Sequence, residues 1–143
     1  MSSRSVAVPP RTESKPLLLT KGEAVKTTIV HKWYARPVLF VADVDRAIHF
    51  YLDTLGFEKA WHSGDGKGTV CQVNRGECEI ILCQDAKRSD KGRLFIELTK
   101  DGLTELRGEI TERSIPNKSS WWGYDVIQID DPDGNELLFP TEV

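Results

Sequence analysis

Apolar and polar positions along the chain fall into one rhythm of strands and a helix, run through twice. Pro37 to Val41 is apolar and strand-like. Asp43, Val44 and Asp45 then supply acidic helix-start residues ahead of Arg46. Ile48, Tyr51, Leu52 and Leu55 follow at helical spacing, and Gly56 stands where a helix-ending glycine belongs. Phe57 to Ser63 reads as a strand, Gly64-Asp65-Gly66 as a turn, and Gly68 to Val73 as the next strand. Asn74-Arg75-Gly76 turns again into Cys78 to Gln84. In the second run, Arg93 to Thr99 predicts a strand, and Leu103, Leu106 and Ile110 mark an amphipathic helix. Pro116 interrupts. Ser119 to Ile129 is rich in aromatic and β-branched residues, Asp131 to Asn135 is a strong turn, and Glu136 to Phe139 closes as a strand.

The two runs also match residue by residue. Glu79-Ile80-Ile81-Leu82 recurs as Glu136-Leu137-Leu138-Phe139, and Arg36 recurs as Arg93, both 57 positions on. Val70 to Asn74 matches Val126 to Asp130 one residue off that register. Three matches in order at nearly one spacing point to an internal duplication. The prediction is an α+β fold of two tandem β-α-β-β-β units, about 36–85 and 93–143, in a single domain over 36–143. Residues 1–35 form an N-terminal arm, with Thr27 to Tyr34 as a partly extended segment.

Composition narrows the function classes. With 143 residues, 39% hydrophobic and 29% charged, the chain has the balance of a globular domain able to bury a core. Its net charge of -3 and scattered basic residues give no support to nucleic-acid binding. No apolar stretch approaches a membrane span, and the start carries no apolar secretory segment. Cys71, Cys78 and Cys83 form no C-x-x-C, so a cytoplasmic protein with reduced, buried thiols is expected. Nucleophile elbows, P-loops and dinucleotide fingerprints are missing, so no catalytic residue is assigned.

The stretch Pro37-Val38-Leu39-Phe40-Val41-Ala42-Asp43-Val44-Asp45-Arg46-Ala47-Ile48-His49-Phe50-Tyr51, then Leu55-Gly56-Phe57, resembles the vicinal oxygen chelate superfamily. That superfamily includes glyoxalase I, extradiol dioxygenases and bleomycin-resistance proteins. Trp122-Gly123 followed by Asp131-Pro132-Asp133-Gly134-Asn135 is closer to the bleomycin-resistance branch. The resemblance implies a cup-shaped antiparallel sheet with helices outside, and in metal-dependent relatives four strand positions that ligate a divalent cation. Those positions here hold Arg36, Ile81, Arg93 and Leu138, none of which offers a metal a lone pair. His31, His49 and His62 fall outside them. No metal and no cofactor are expected.

Strand alternation sorts the remaining side chains. If Arg36 faces the cup, so do Val38 and Phe40, while Leu39 and Val41 pack under the helix. Arg93, Phe95 and Glu97 share that parity, as do Glu79, Ile81 and Cys83, and Glu136 and Leu138. Gln72 and Gln128 face inward because Cys71, Val73, Ile127 and Ile129 form the apolar opposite faces. The candidate ligand-binding set is Arg36, Phe40, Trp61, Gln72, Arg93, Glu97, Trp122, Tyr124 and Gln128. Two readings of the arginines stand side by side: a clamp for a carboxylate or phosphate, and internal pairs with Glu79, Glu97 or Glu136. Trp61, Trp121, Trp122 and Tyr124 serve either as a stacking surface or as core and dimer packing. Glu97 or Glu79 would serve as a general base only if burial raised its pKa.

The expected function is metal-independent binding and sequestration of a small aromatic or amphipathic molecule by a homodimer, which relatives commonly form. The alternatives are a glyoxalase-like lyase or isomerase with a relocated or absent metal, and an interaction module whose cup is filled by its own side chains.

Overall fold

A computed structural model describes residues 33–88 and 90–141, so the expected arm lies outside the described residues except for its last three positions. The first unit runs β1 (Val38–Val41), α1 (Val44–His49), β2 (Glu58–His62), β3 (Val70–Arg75) and β4 (Cys78–Gln84). The second runs β5 (Arg93–Phe95), α2 (Lys100–Arg113), β6 (Lys118–Trp121), β7 (Asp125–Asp130) and β8 (Glu136–Pro140). Each unit is a four-stranded sheet, ordered β1-β4-β3-β2 and β5-β8-β7-β6. The duplicated β-α-β-β-β plan is therefore present. Pairing is antiparallel except at one edge of each sheet, where β1 pairs parallel with β4 and β5 with β8.

Local chemistry accounts for most element boundaries. The Asp43 carboxylate accepts from the backbone N–H groups of Asp45 and Arg46, capping α1. The helix then widens into a π-helical segment, Phe50–Thr54, where Leu55 N–H donates to Phe50 C=O at 3.3 Å. Gly56 ends it at φ +73°, a left-handed conformation that a side chain would disfavour. Thr99 caps α2 by accepting from Gly102 N–H at 3.0 Å.

Three predicted boundaries are corrected. The strand read over Arg93 to Thr99 stops at Phe95, because Thr99 is committed to capping α2. The turn read at Asn74-Arg75-Gly76 moves forward: β3 continues through Arg75, which pairs with Cys78, leaving Gly76 and Glu77 to turn. The run from Ser119 to Ile129 is two strands folded back on each other, with Trp121 opposite Asp125.

The predicted parity holds on β1. Leu39 and Val41 are buried in a core that both units share, with Tyr51, Leu55, Ile80 and Leu82 from the first unit and Leu106, Ile129, Leu137 and Phe139 from the second. Val38, on the other face of β1, is 46% exposed. Polar locks join the units across that core. Tyr51 Oη donates to Asp131 at 3.0 Å, and Arg75 grips both oxygens of Glu109 at 2.8 Å. Asn135 donates to Phe40 C=O and accepts from Gly92 N–H.

Candidate functional site

The open faces of the two sheets carry two polar and aromatic clusters. On the first sheet, Gln72 is buried at the centre. Its Oε1 accepts from Arg36 Nη1 at 2.6 Å and from Trp61 Nε1 at 3.0 Å, while its Nε2 donates to Asn74 at 2.9 Å. Tyr34 Oη donates to Glu79, and the Arg36 guanidinium lies over the Tyr34 ring at 5.5 Å. A buried amide with both ends satisfied is rigid, so Gln72 fixes the directions of Arg36 and Trp61.

The second cluster is more open. Trp122 and Gly123 form the β6–β7 turn, closed by Trp122 N–H donating to Tyr124 C=O at 2.9 Å, with Gly123 at φ +83°. That conformation needs the glycine, and the Trp122 ring lies on the sheet face. There it meets Phe95 edge-on at 5.5 Å, and Phe95 lies 6.4 Å from Tyr124. Arg93 lies over the Trp122 ring at 5.1 Å while its Nε donates to Glu136 at 2.7 Å. Phe95 and Trp122 are each 41% exposed.

Of the two readings of Arg93, the internal pair with Glu136 is formed. Its inner nitrogen is paired with Glu136, and among the described residues its two terminal nitrogens make no hydrogen bond. A guanidinium held flat by an aromatic ring and a carboxylate, with its fork outward, is prepared for a planar anion.

The other predicted residues are dispersed. Phe40 lies under the Arg88 guanidinium at 4.0 Å. Gln128 is buried and donates to Asp130 at 2.8 Å. Glu97 lies beyond the end of β5, exposed, and lines a groove of about 640 Å³ with Leu55, Phe57 and Leu106. Its exposure removes the burial on which a general-base role depended. Among the described residues, the contacts of the Arg93 cluster stay on its own sheet. Tyr34 and Asn74 were missed as site residues, although two-residue alternation from Arg36 and Gln72 finds both; Phe95, placed on the cup face by the same alternation, was left out of the set.

A metal fits these residues poorly. At the positions where metal-dependent relatives hold ligands, Arg36 and Arg93 are cations engaged with Gln72 and Glu136, and Ile81 and Leu138 are buried aliphatics. Among the described residues, no three His, Cys, Asp or Glu side chains gather as a metal site. The thiols are equally quiet: all three cysteines are unpaired, and burial pushes Cys71 and Cys78 up to about 11 and raises Cys83. We expect an aromatic disulfide reagent at pH 8 to modify the buried Cys71 only as fast as the protein unfolds, and all three cysteines at once in urea. Rapid native labelling of Cys71 would contradict its placement.

Comparison with known proteins completes the picture. Residues 33–139 match the family model of the Glyoxalase/Bleomycin resistance protein/Dioxygenase superfamily. Bleomycin resistance proteins of Geobacillus stearothermophilus and Staphylococcus aureus are 26% identical over 125 residues, spanning 75% of this chain and 95% of theirs. Among solved structures, a bleomycin-binding protein from Streptomyces verticillus, complexed with copper(II)-bleomycin, is similar with a TM-score of 0.59 and 23% identity. It covers 80% of this chain and 100% of its own. A lactoylglutathione lyase from Agrobacterium tumefaciens is similar with a TM-score of 0.58 and 20% identity, covering 75% and 92%.

Proposed function

This chain belongs to the Glyoxalase/Bleomycin resistance protein/Dioxygenase superfamily, and from that membership we propose that it binds and sequesters a flat, partly apolar small molecule without a catalytic metal. The observation that carries this reading is the Arg93 cluster. An exposed aromatic shelf of Phe95 and Trp122 stands beside a guanidinium whose outer fork is open. Such a shelf stacks a planar ring while the fork pairs with an anionic substituent. Similarity to bleomycin resistance proteins supports binding over turnover, and the residues at the four metal positions support metal independence.

Calorimetric titration with metal-free bleomycin and a panel of planar aromatic carboxylates tests this, with tryptophan fluorescence as second probe. Stoichiometric binding is expected. Trp122→Ala and Arg93→Ala are each expected to weaken it by roughly ten- to a hundredfold, the range for residues that anchor a ligand. Silence across the panel, or a stoichiometric first-row metal in protein purified without chelator, would overturn the reading.

The working unit in this reading is a homodimer in the cytoplasm. In the described residues no helix is long and apolar enough to cross a membrane. Trp121 and Trp122 stand exposed at the edge of the second sheet, and a second copy covering that edge would enclose the ligand between chains. Sedimentation equilibrium at micromolar concentration should give the mass of two chains; a monomer would remove the shared site.

A further inference from the structure

The duplication is not symmetrical where the units meet. In the second unit, the connection between β7 and β8 spans 131–135 and reaches into the first unit. Asp133 accepts from Ala42 N–H and Arg46, and Asp131 from Tyr51. The equivalent connection between β3 and β4 is only Gly76 and Glu77. Too short to fill the reciprocal junction, it leaves the groove of about 640 Å³ between itself, the chain after β5 and α2.

We infer that this groove is a second binding site, for a small molecule with an apolar body and a protonated amine. Its volume falls within the roughly 300–1,000 Å³ of ligand pockets. Its floor is apolar, with Leu55, Phe57 and Leu106. Among the described residues its charged walls are one-sided: Glu77, Glu97 and Glu105 line it, with Glu79 held by Tyr34, against Arg75. Arg75 is already neutralised by Glu109, which it grips with two nitrogens, and it spends a further bond on Leu55 C=O. Glu97 makes no hydrogen bond or ion pair among the described residues, and Glu105 touches Arg75 only at 3.7 Å. An anion would meet these carboxylates, and a neutral apolar molecule would leave them unused. A cation completes the groove. This inference does not rest on the Arg93 site, which meets the groove only at Phe95.

The test compares three probes with one body: 4-phenylbutylamine, 4-phenylbutanol and 4-phenylbutyrate, titrated calorimetrically into the full chain. The amine should bind one to one, at least tenfold more tightly than the alcohol, and the carboxylate should not bind. The double variant Glu97→Gln/Glu105→Gln changes two exposed side chains and leaves the Arg75–Glu109 grip intact. It should weaken the amine about tenfold and leave the alcohol unchanged, as expected for two exposed charge pairs. Trp122→Ala should leave amine binding unchanged. Equal binding of all three probes, no saturable binding, or loss with Trp122→Ala in place of the glutamate variant would each overturn the inference.

Discussion

Asp131→Ala is expected to lower the stability of the fold by about 3–5 kcal/mol and its Tm by roughly 10–20 °C. The Asp131 carboxylate is buried, and it accepts four hydrogen bonds. Oδ1 takes the backbone N–H of Asp133 and of Asn135; Oδ2 takes Tyr51 Oη and Asn135 Nδ2, all within 3.0 Å. Tyr51 and Asn135 are themselves buried. Truncation leaves their donors in a space water does not reach, at about 1–3 kcal/mol for each. Much of the stability of a domain this size, about 5–15 kcal/mol, is therefore at stake. Tyr51→Phe removes one donor and should cost only about 1 kcal/mol. The double variant should lose less than the sum, because the orphaned hydroxyl is gone. Urea unfolding followed by circular dichroism measures all three. A loss under about 1 kcal/mol for Asp131→Ala would mean the carboxylate does not tie the units together.

That lock also marks the boundary of what the sequence discloses. Asp131 to Asn135 is legible as a turn, because proline, glycine and Asx residues act locally. Its role as a key between units depends on Phe40, Ala42, Arg46 and Tyr51, some eighty to ninety-five positions away, and no local pattern encodes that distance. Arg75 is a similar case. Next to Gly76 it reads as turn, yet it closes β3 and bridges to Glu109 on α2. Alternation performs better because it follows from the backbone itself: the parity of Leu39 and Val41 against Val38 and Phe40 is realised on β1. The same rule set Gln72 and Arg93 on the open faces. It does not decide whether those faces close on each other, since that depends on how the sheets meet.

The second large effect is a loss of stability in alkali, set by the core. Burial, and then the negative charge of Asp131 that its hydroxyl also bonds, raises Tyr51 well above its ordinary 10.0. Burial alone accounts for most of the rise of Cys71 and Cys78 from 9.0 to about 11. In each case the folded protein holds its proton more firmly than the unfolded chain does. The unfolded chain therefore binds fewer protons above pH 9, and stability falls with rising pH. The contribution is fully present below pH 9, declines between 9 and 11 as the thiols of the unfolded chain ionise, and declines further as the tyrosine follows. Cys71, fully buried, carries more of this loss than half-buried Cys78, whose shift solvent screens. Urea midpoints at pH 8, 9.5 and 10.5 should fall progressively. Cys71→Ala/Cys78→Ala should start from a lower midpoint, for lost packing, but show a shallower fall. A wild-type midpoint that stays flat to pH 10.5 would mean these groups are hydrated, and that the shared core between the two units is looser than its packing implies.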